Sequence, residues 1–329
     1  LQVKPLQSNI ELSNVGEDDL IDDDFAAETL VRLMSGKIKN VHGELFVYDT
    51  ETGIWNNDES ISLKTIKKFK KELTFKIPLK DGSFKTFDYG GSVSKIKPML
   101  YLVPSKCIDD EFFNRNQDSD KGILLFKNGT YYGRTKEFIP EFNPNVVSKY
   151  RIDYNFPERN QDNIDFVMKT LWEEPFANKE WDTSSKYERL LMATGLFKEY
   201  HLKKALIQIG ESNAGKGVKT NAFQNTFQNY IGTFNITSLV YNANSGSDSA
   251  KQLSFLLSIY DKRISFSSEA STSCVLDANL YKNIVSGGDR ILARSNFKDE
   301  KEIVNTSLLI SCMTAMPRIE PIDDAVINR

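Results

Sequence analysis

The chain reads as an α/β protein built around a central parallel sheet, with an α+β region ahead of it. Three observations predict this. Apolar runs at residues 205–209, 263–267 and 307–312 are separated by helical patterns, and strands that alternate with helices favour parallel pairing. The first run leads directly into Gly210-Glu-Ser-Asn-Ala-Gly-Lys-Gly-Val-Lys-Thr220, a glycine-rich turn that opens a helix. All three runs end at residues capable of chemistry, and open α/β sheets take their ligands at the carboxyl ends of the strands. The serines of the second run, Ser265 and Ser267, fit less well, because a strand covered on both faces is usually more apolar.

The elements follow in order. Residues 1–24 are polar and end in Glu17-Asp18-Asp19 and Asp22-Asp23-Asp24, which read as an acidic linker entering a helix whose N-terminal dipole favours carboxylates. Paired aspartates also suit a metal used in nucleotidyl transfer, but no other motif of that chemistry accompanies them. The helix runs from Phe25 to Met34 and stops at Gly36. Residues 45–55 and 123–132 read as β-hairpins, the second centred on Asn128-Gly129. Between them, Lys64, Lys67, Lys68 and Lys71 fall on one helical face while Leu63, Ile66, Phe69 and Leu73 turn to another. That basic stripe is either a solvated face or a surface for DNA or a partner. Residues 162–200 are helical in pattern, and the boundary falls near His201, giving an α+β accessory or collar domain (25–200) and a sheet domain (201–329).

Bulk properties narrow the class. With 329 residues and 40% apolar content the chain can bury two cores. No apolar run approaches a membrane span and no signal peptide opens the chain, so an intracellular, cytoplasmic location with no membrane partner is expected. The first residue is Leu, which suggests a piece of a longer polypeptide. Cys107, Cys274 and Cys312 are odd in number and widely spaced, as reduced core thiols are, and His42 and His201 stand far from any cysteine pair, so no zinc site is readable. A net charge of −3 excludes a globally basic nucleic-acid coat but permits a basic channel lining.

The chemistry centres on the glycine-rich turn. In the pattern G-x-x-x-x-G-K, glycines let consecutive backbone N–H groups converge on phosphates, the helix N-terminus adds its dipole, and the lysine reaches the β and γ phosphates. Gly210, Glu211, Ser212, Asn213, Ala214, Gly215, Lys216 and Gly217 form this candidate nucleotide cradle. The second run ends at Ser268-Glu269, where Glu269 is placed either to order Mg²⁺ and orient water or simply as a surface carboxylate after a strand.

Beyond it, a helical stretch from Leu276 runs into Gly287-Gly-Asp289 and the basic segment Arg290 to Lys298. With the phosphate loop, the strand-end Glu269, a Lys-x(3–4)-Gly-Gly-Asp-x(4)-Arg stretch and a final apolar strand leading to Pro317, the chain resembles the superfamily 3 helicases of the poxvirus and satellite-phage primase-helicase type over residues 205–329. Residues 46–55, 126–129 and the helices up to Phe197 are similar to the accessory domain that precedes such helicases. The resemblance implies an AAA+-like P-loop ATPase fold and a ring, usually a hexamer of this chain, with ATP and Mg²⁺ bound between subunits and single-stranded DNA passing through the centre. It further implies catalytic roles for Lys216, Glu269 and a finger arginine at Arg329, a sensor at Thr314, DNA contacts from Arg294 and Lys298, and a fused or associated primase-polymerase. From the residues alone, Arg329 reads equally as a surface arginine, and the 290–298 segment as a charged turn balanced by Asp299 and Glu300.

Three positions depart from the pattern. Gly217 occupies the Ser/Thr place of the loop, with Thr220 about one helical turn further on; Ser268 stands where many relatives have an acid; and Thr314 takes the place of a γ-phosphate-sensing asparagine. Each loss removes a polar contact that contributes on the order of 1–3 kcal/mol. Two readings therefore compete: an ATP-dependent DNA helicase module of a viral or plasmid replication protein, and a ring or clamp of weak or absent hydrolysis that binds nucleotide and DNA to support a polymerase. A metabolic P-loop kinase lacks a readable small-substrate pocket and leaves Gly287-Gly-Asp289 unexplained.

Overall fold

The computed structural model describes residues 22–69, 73–79, 82–90, 93–176, 182–199, 203–240, 249–267, 275–295 and 299–328. It divides into two compact units, residues 1–117 and 118–329. The division precedes the boundary expected near His201, so that the second hairpin and the helices before the sheet belong to the sheet's unit.

In the first unit, α1 (Asp23–Leu33) starts two residues before the expected Phe25, because the Asp22 carboxylate accepts the Phe25 N–H at 2.9 Å and caps the helix. Its buried stripe of Ala26, Ala27, Leu30 and Met34 packs into a core with Ile38, Val47, Phe75, Tyr89, Met99 and Val103. β1 (Ile38–Val41), β2 (Glu44–Asp49) and β3 (Ile54–Asn56) form an antiparallel sheet that contains the first expected hairpin. After α2 (Glu59–Lys68), β4 (Thr74–Pro78) and β5 (Phe84–Asp88) pair antiparallel, and α3 (Val93–Lys106) and α4 (Phe112–Arg115) close the unit. On α2, Lys64 and Lys68 both approach Glu51, at 3.5 and 2.7 Å, so part of the basic stripe is neutralised; Lys71 lies outside the described residues.

The second unit opens with β6 (Ile123–Phe126), β7 (Gly129–Tyr132) and β8 (Glu137–Ile139), an antiparallel meander. The hairpin is present, but its two turn residues are Lys127-Asn128, and Gly129 already pairs with Phe126. Glycine is needed there by close approach, since a Cβ would sit 2.3 Å from the Ile139 carbonyl of β8. Helix α5 (Gln161–Met168) continues through a π-helical turn at Lys169–Glu173, then a 3₁₀ turn, and α6 (Asp182–Leu196) follows.

The central sheet then assembles from β9 (Leu206–Ile209), β10 (Ile231–Phe234), β11 (Ile264–Ser267) and β15 (Leu308–Met313), all parallel, in the order β10-β11-β15-β9. Between β9 and β10 lies α7 (Lys216–Phe227), and between β10 and β11 lies α8 (Ser249–Gln252). Between β11 and β15 come β12 (Val275–Asp277), α9 (Ala278–Val285) and the antiparallel hairpin of β13 (Arg290–Ala293) and β14 (Lys301–Val304). After β15, β16 (Arg318–Glu320) pairs parallel with β12, and α10 (Asp324–Ile327) follows.

The three expected strands are all present; β10 is a fourth. One face of the sheet presents Phe266, Leu308 and Ile310 to Trp172, Leu191, Met192, Leu196 and Phe223, and the other presents Ile207, Leu309 and Met313 to Tyr281, Ile284, Ile291 and Ile303. Of the two serines on β11, Ser265 shares a buried hydroxyl hydrogen bond of 2.7 Å with Ser307, which leads into β15, whereas the Ser267 hydroxyl is buried with no hydrogen-bond partner among the described residues. Among the described residues, no helix is long and apolar enough to cross a membrane.

Candidate nucleotide site

The loop from Gly210 to Lys216 rises from the carboxyl end of β9. Ile209 lies opposite Met313 in the parallel register, and the Gly210 N–H donates to the Met313 carbonyl at 3.1 Å, which fastens the start of the loop to β15. Thr314 follows Met313 and is thereby held beside the loop's first residue, half-buried. The backbone turns through left-handed conformations at Asn213 (φ 67°) and Gly215 (φ 85°), which suit an Asn and a Gly respectively. Gly215 is the N-cap of α7, so the helix's first N–H groups, which have no intrahelical acceptors, face the loop. Glu211, Ser212, Asn213 and Ala214 are exposed, as a cradle open to a ligand requires.

Lys216 curls over this turn. Its ammonium donates to the Gly210 carbonyl and, at 2.9 Å, to the Glu211 carbonyl. Both acceptors are neutral, whereas phosphate oxygens carry negative charge and attract the ammonium more strongly, so the lysine is poised for exchange. The donor set of loop amides, helix N-terminus and half-buried ammonium fits a polyphosphate.

The metal side is less complete. Gly217 is exposed and offers no hydroxyl, although a Cβ built there meets nothing within 4 Å. Thr220 does not substitute for it: its Oγ1 donates to the Lys216 carbonyl at 3.2 Å and lies 3.7 Å from Cys312 Sγ, turned inward against the sheet. Among the described residues, no group of three or more His, Cys, Asp or Glu side chains is arranged to hold a metal. Glu269, the carboxylate expected to order Mg²⁺, lies outside the described residues, as do Ser268, Lys298 and Arg329. β11 does end at Ser267, two positions before Glu269.

The remaining expected residues fall on the segments beyond. Asp277 caps α9, and Asp289 ends the Gly-Gly turn that leads into β13, with its N–H donating to Ser286 Oγ at 3.2 Å. Of the 290–298 segment, Arg290–Ala293 is the first strand of a hairpin and residues 296–298 lie outside the described ones: Arg290 is paired with Glu302 across the hairpin at 2.8 Å, and Arg294 leaves the strand half-buried, its N–H on the Ala250 carbonyl at 3.0 Å. Lys282, the lysine of the Lys-x(4)-Gly-Gly-Asp stretch, pairs at 2.6 Å with Asp323, the N-cap of α10. The Lys282 hydrogen bond, with the Val326 N–H behind it, holds the Asp323 carboxyl below its usual range.

Sequence reasoning missed a second group of polar residues, directly beneath the loop. Glu188 on α6 and Lys219 on α7 form an ion pair with both carboxylate oxygens 3.0 Å from the ammonium, and the two side chains are only 5% and 8% exposed. Gln208 on β9 donates to the same carboxylate and accepts from Cys312 Sγ on β15 at 3.2 Å. The Lys219 ammonium lies 4.3 Å from the centre of the Trp172 ring. Burial raises the pKa of the Cys312 thiol, keeping it protonated and able to donate. Partners so far apart in sequence leave no local signal; the only hint was a polar Gln at an otherwise apolar strand position.

No known family profile matches the chain. It is 31% identical over its whole length to "Putative helicase V13" of the Sputnik virophage, and spans 42% of that protein. Among solved structures, two apo forms of the NrS-1 C-terminal region align with 92% and 93% of the chain and 59% and 60% of their own length, at 12% identity and a TM-score of 0.43.

Proposed function

We propose that the second unit binds a nucleoside triphosphate with Mg²⁺ at the loop 210–217, and that the chain is the ATP-dependent DNA helicase module of a viral replication protein. The observation that carries the first part is the loop itself: a parallel strand, a left-handed glycine at the helix N-cap, and Lys216 folded over open backbone donors. The 31% identity to a virophage protein named as a helicase supports the second part.

In this reading the loop amides and Lys216 hold the β and γ phosphates, and phosphoryl transfer to water is accelerated by positioning and charge neutralisation. Glu269 orients the water or the metal, and Thr314, fastened beside Gly210 through Met313, contacts the γ-phosphate. Arg329 reaches the site of a neighbouring copy in a ring, and Arg294 and Lys298 meet the phosphates of single-stranded DNA without reading its sequence. A primase-polymerase, fused or associated, would copy the strand that unwinding exposes.

A second reading rests on Gly217 and the inward-turned Thr220: a clamp that binds nucleotide and DNA but hydrolyses slowly or not at all. Steady-state hydrolysis of Mg²⁺-ATP with and without single-stranded DNA, on the chain and its Lys216→Ala and Glu269→Gln variants, separates the two. DNA-stimulated turnover lost in both variants is the expected result. Lys216-dependent binding without turnover selects the clamp, and hydrolysis unchanged by Lys216→Ala refutes the nucleotide site.

A further inference from the structure

We infer that Glu188 is a positioning residue for the phosphate loop, acting from a helix that precedes the sheet; this rests on the loop being the nucleotide site. One carboxylate receives hydrogen bonds from both flanks of the loop. Gln208 lies on β9 two residues before Gly210, and Lys219 lies on α7 four residues after Gly215. The chain between those two flanks is the loop itself, so the pair of contacts fixes the span across which it closes. The anchoring is rigid because Glu188 and Lys219 are buried and Gln208 is held on its other side by Cys312.

A second, independent feature leads to the same place. The π-helical turn at Lys169–Glu173 is a rare interruption of the helix that starts at α5, and such turns occur often at functional sites. It brings Trp172 over the Lys219 ammonium and lets the Trp172 carbonyl accept from Ser185 Oγ of α6 at 2.8 Å. The turn and α6 are thus joined to each other and to the first turns of α7. The helices ahead of the sheet therefore form a floor under the loop as well as covering the sheet's face, and a shift of α6 reaches both flanks of the nucleotide site through Glu188.

The test must separate positioning from simple stability. Glu188→Gln alone leaves a buried ammonium without its counter-charge and is expected to lower the melting temperature. The double variant Glu188→Met/Lys219→Met removes both charges and the acceptor for Gln208, and replacing a buried ion pair by apolar groups often leaves stability intact. Binding of Mg²⁺-ADP by calorimetry, with thermal unfolding in parallel, is compared for the parent, the double variant and Gln208→Leu. The expected result is a double variant with near-parental melting temperature and about tenfold weaker nucleotide binding, and a smaller loss for Gln208→Leu. Parental affinity in a folded double variant would overturn the inference. A parent that binds no nucleotide would instead refute the site itself.

Discussion

Two lysines three residues apart on α7 have opposite fates. Lys216 is half-buried, at the helix start, with its ammonium on two backbone carbonyls that a phosphate can displace. Lys219 faces the interior, paired with Glu188 and covered by Trp172. An ammonium withdrawn from water is costly unless it is paired, so Lys219 is committed to the architecture, whereas Lys216 keeps a charge in reserve for a ligand. The difference teaches that a basic loop sequence does not itself distinguish a ligand-binding lysine from a structural one; the partners do.

The largest effect should come from breaking the buried side of this comparison. Lys219→Met alone strands the Glu188 carboxylate and is expected to destabilise the second unit by about 3–5 kcal/mol. Lys216→Met, whose neutral partners remain solvent-accessible, should change stability by less than about 0.5 kcal/mol. Chemical denaturation of both variants measures this, and equal losses would erase the distinction. The converse holds for the ligand. Lys216→Ala should weaken Mg²⁺-ATP binding by about 1.5–3 kcal/mol, the range for a hydrogen bond to a charged group, or roughly ten- to a hundredfold in calorimetry.

How much of this was legible in the sequence follows from the range of the interactions involved. The strands β9, β11 and β15, the phosphate loop and α7 announce themselves through local pattern: apolar runs, glycine spacing and a helix start. β10 did not, because four residues containing a glycine and a threonine, entered from a 3₁₀ turn, lack the length and apolar density of a strand signal. The two compact units part earlier in the chain than residue 201 for a similar reason. Buried Arg263, just before β11, donates at 2.9 Å both to the Asp120 carbonyl and to its carboxylate, which also accepts from Lys198. These long-range polar contacts, with the shared apolar core, bind residues 118–199 to the sheet, and composition does not reveal them. The Glu188 network is invisible for the same reason, while the open question of Thr220 is settled by geometry: it turns to the sheet.

A smaller effect would sharpen the exposed side of the comparison. Gly217→Ser adds a hydroxyl where a Cβ meets no neighbour, and it removes a glycine from a helix, which by itself stabilises by about 0.4–1 kcal/mol. If the missing hydroxyl limits Mg²⁺ coordination, the variant should hydrolyse ATP a few-fold to about tenfold faster than the parent at limiting Mg²⁺, in keeping with one net hydrogen bond of about 0.5–1.5 kcal/mol. Unchanged turnover in a normally folded variant would place the limitation elsewhere in the site.

The smallest effect belongs to a third lysine, intermediate between the other two. Lys282 is 18% exposed and its partner Asp323 is 46% exposed, so water screens the pair and Lys282→Met should cost less than about 1 kcal/mol. Its sign with pH is nevertheless fixed. The folded-state pKa of Asp323 is depressed below the ordinary value of about 3.9, first by the hydrogen bond from Lys282 and then by that from the Val326 N–H. Its contribution is therefore fully present above that ordinary value and is lost as pH falls through the lower folded-state value. Unfolding measured for the parent and Asp323→Asn should differ by a constant amount from pH 8 to pH 5 and converge below about pH 4. A difference that persisted into strong acid would mean that the capping hydrogen bond to Val326, which asparagine can also make, was not being matched by the variant, and that the lysine contributes little to holding α10.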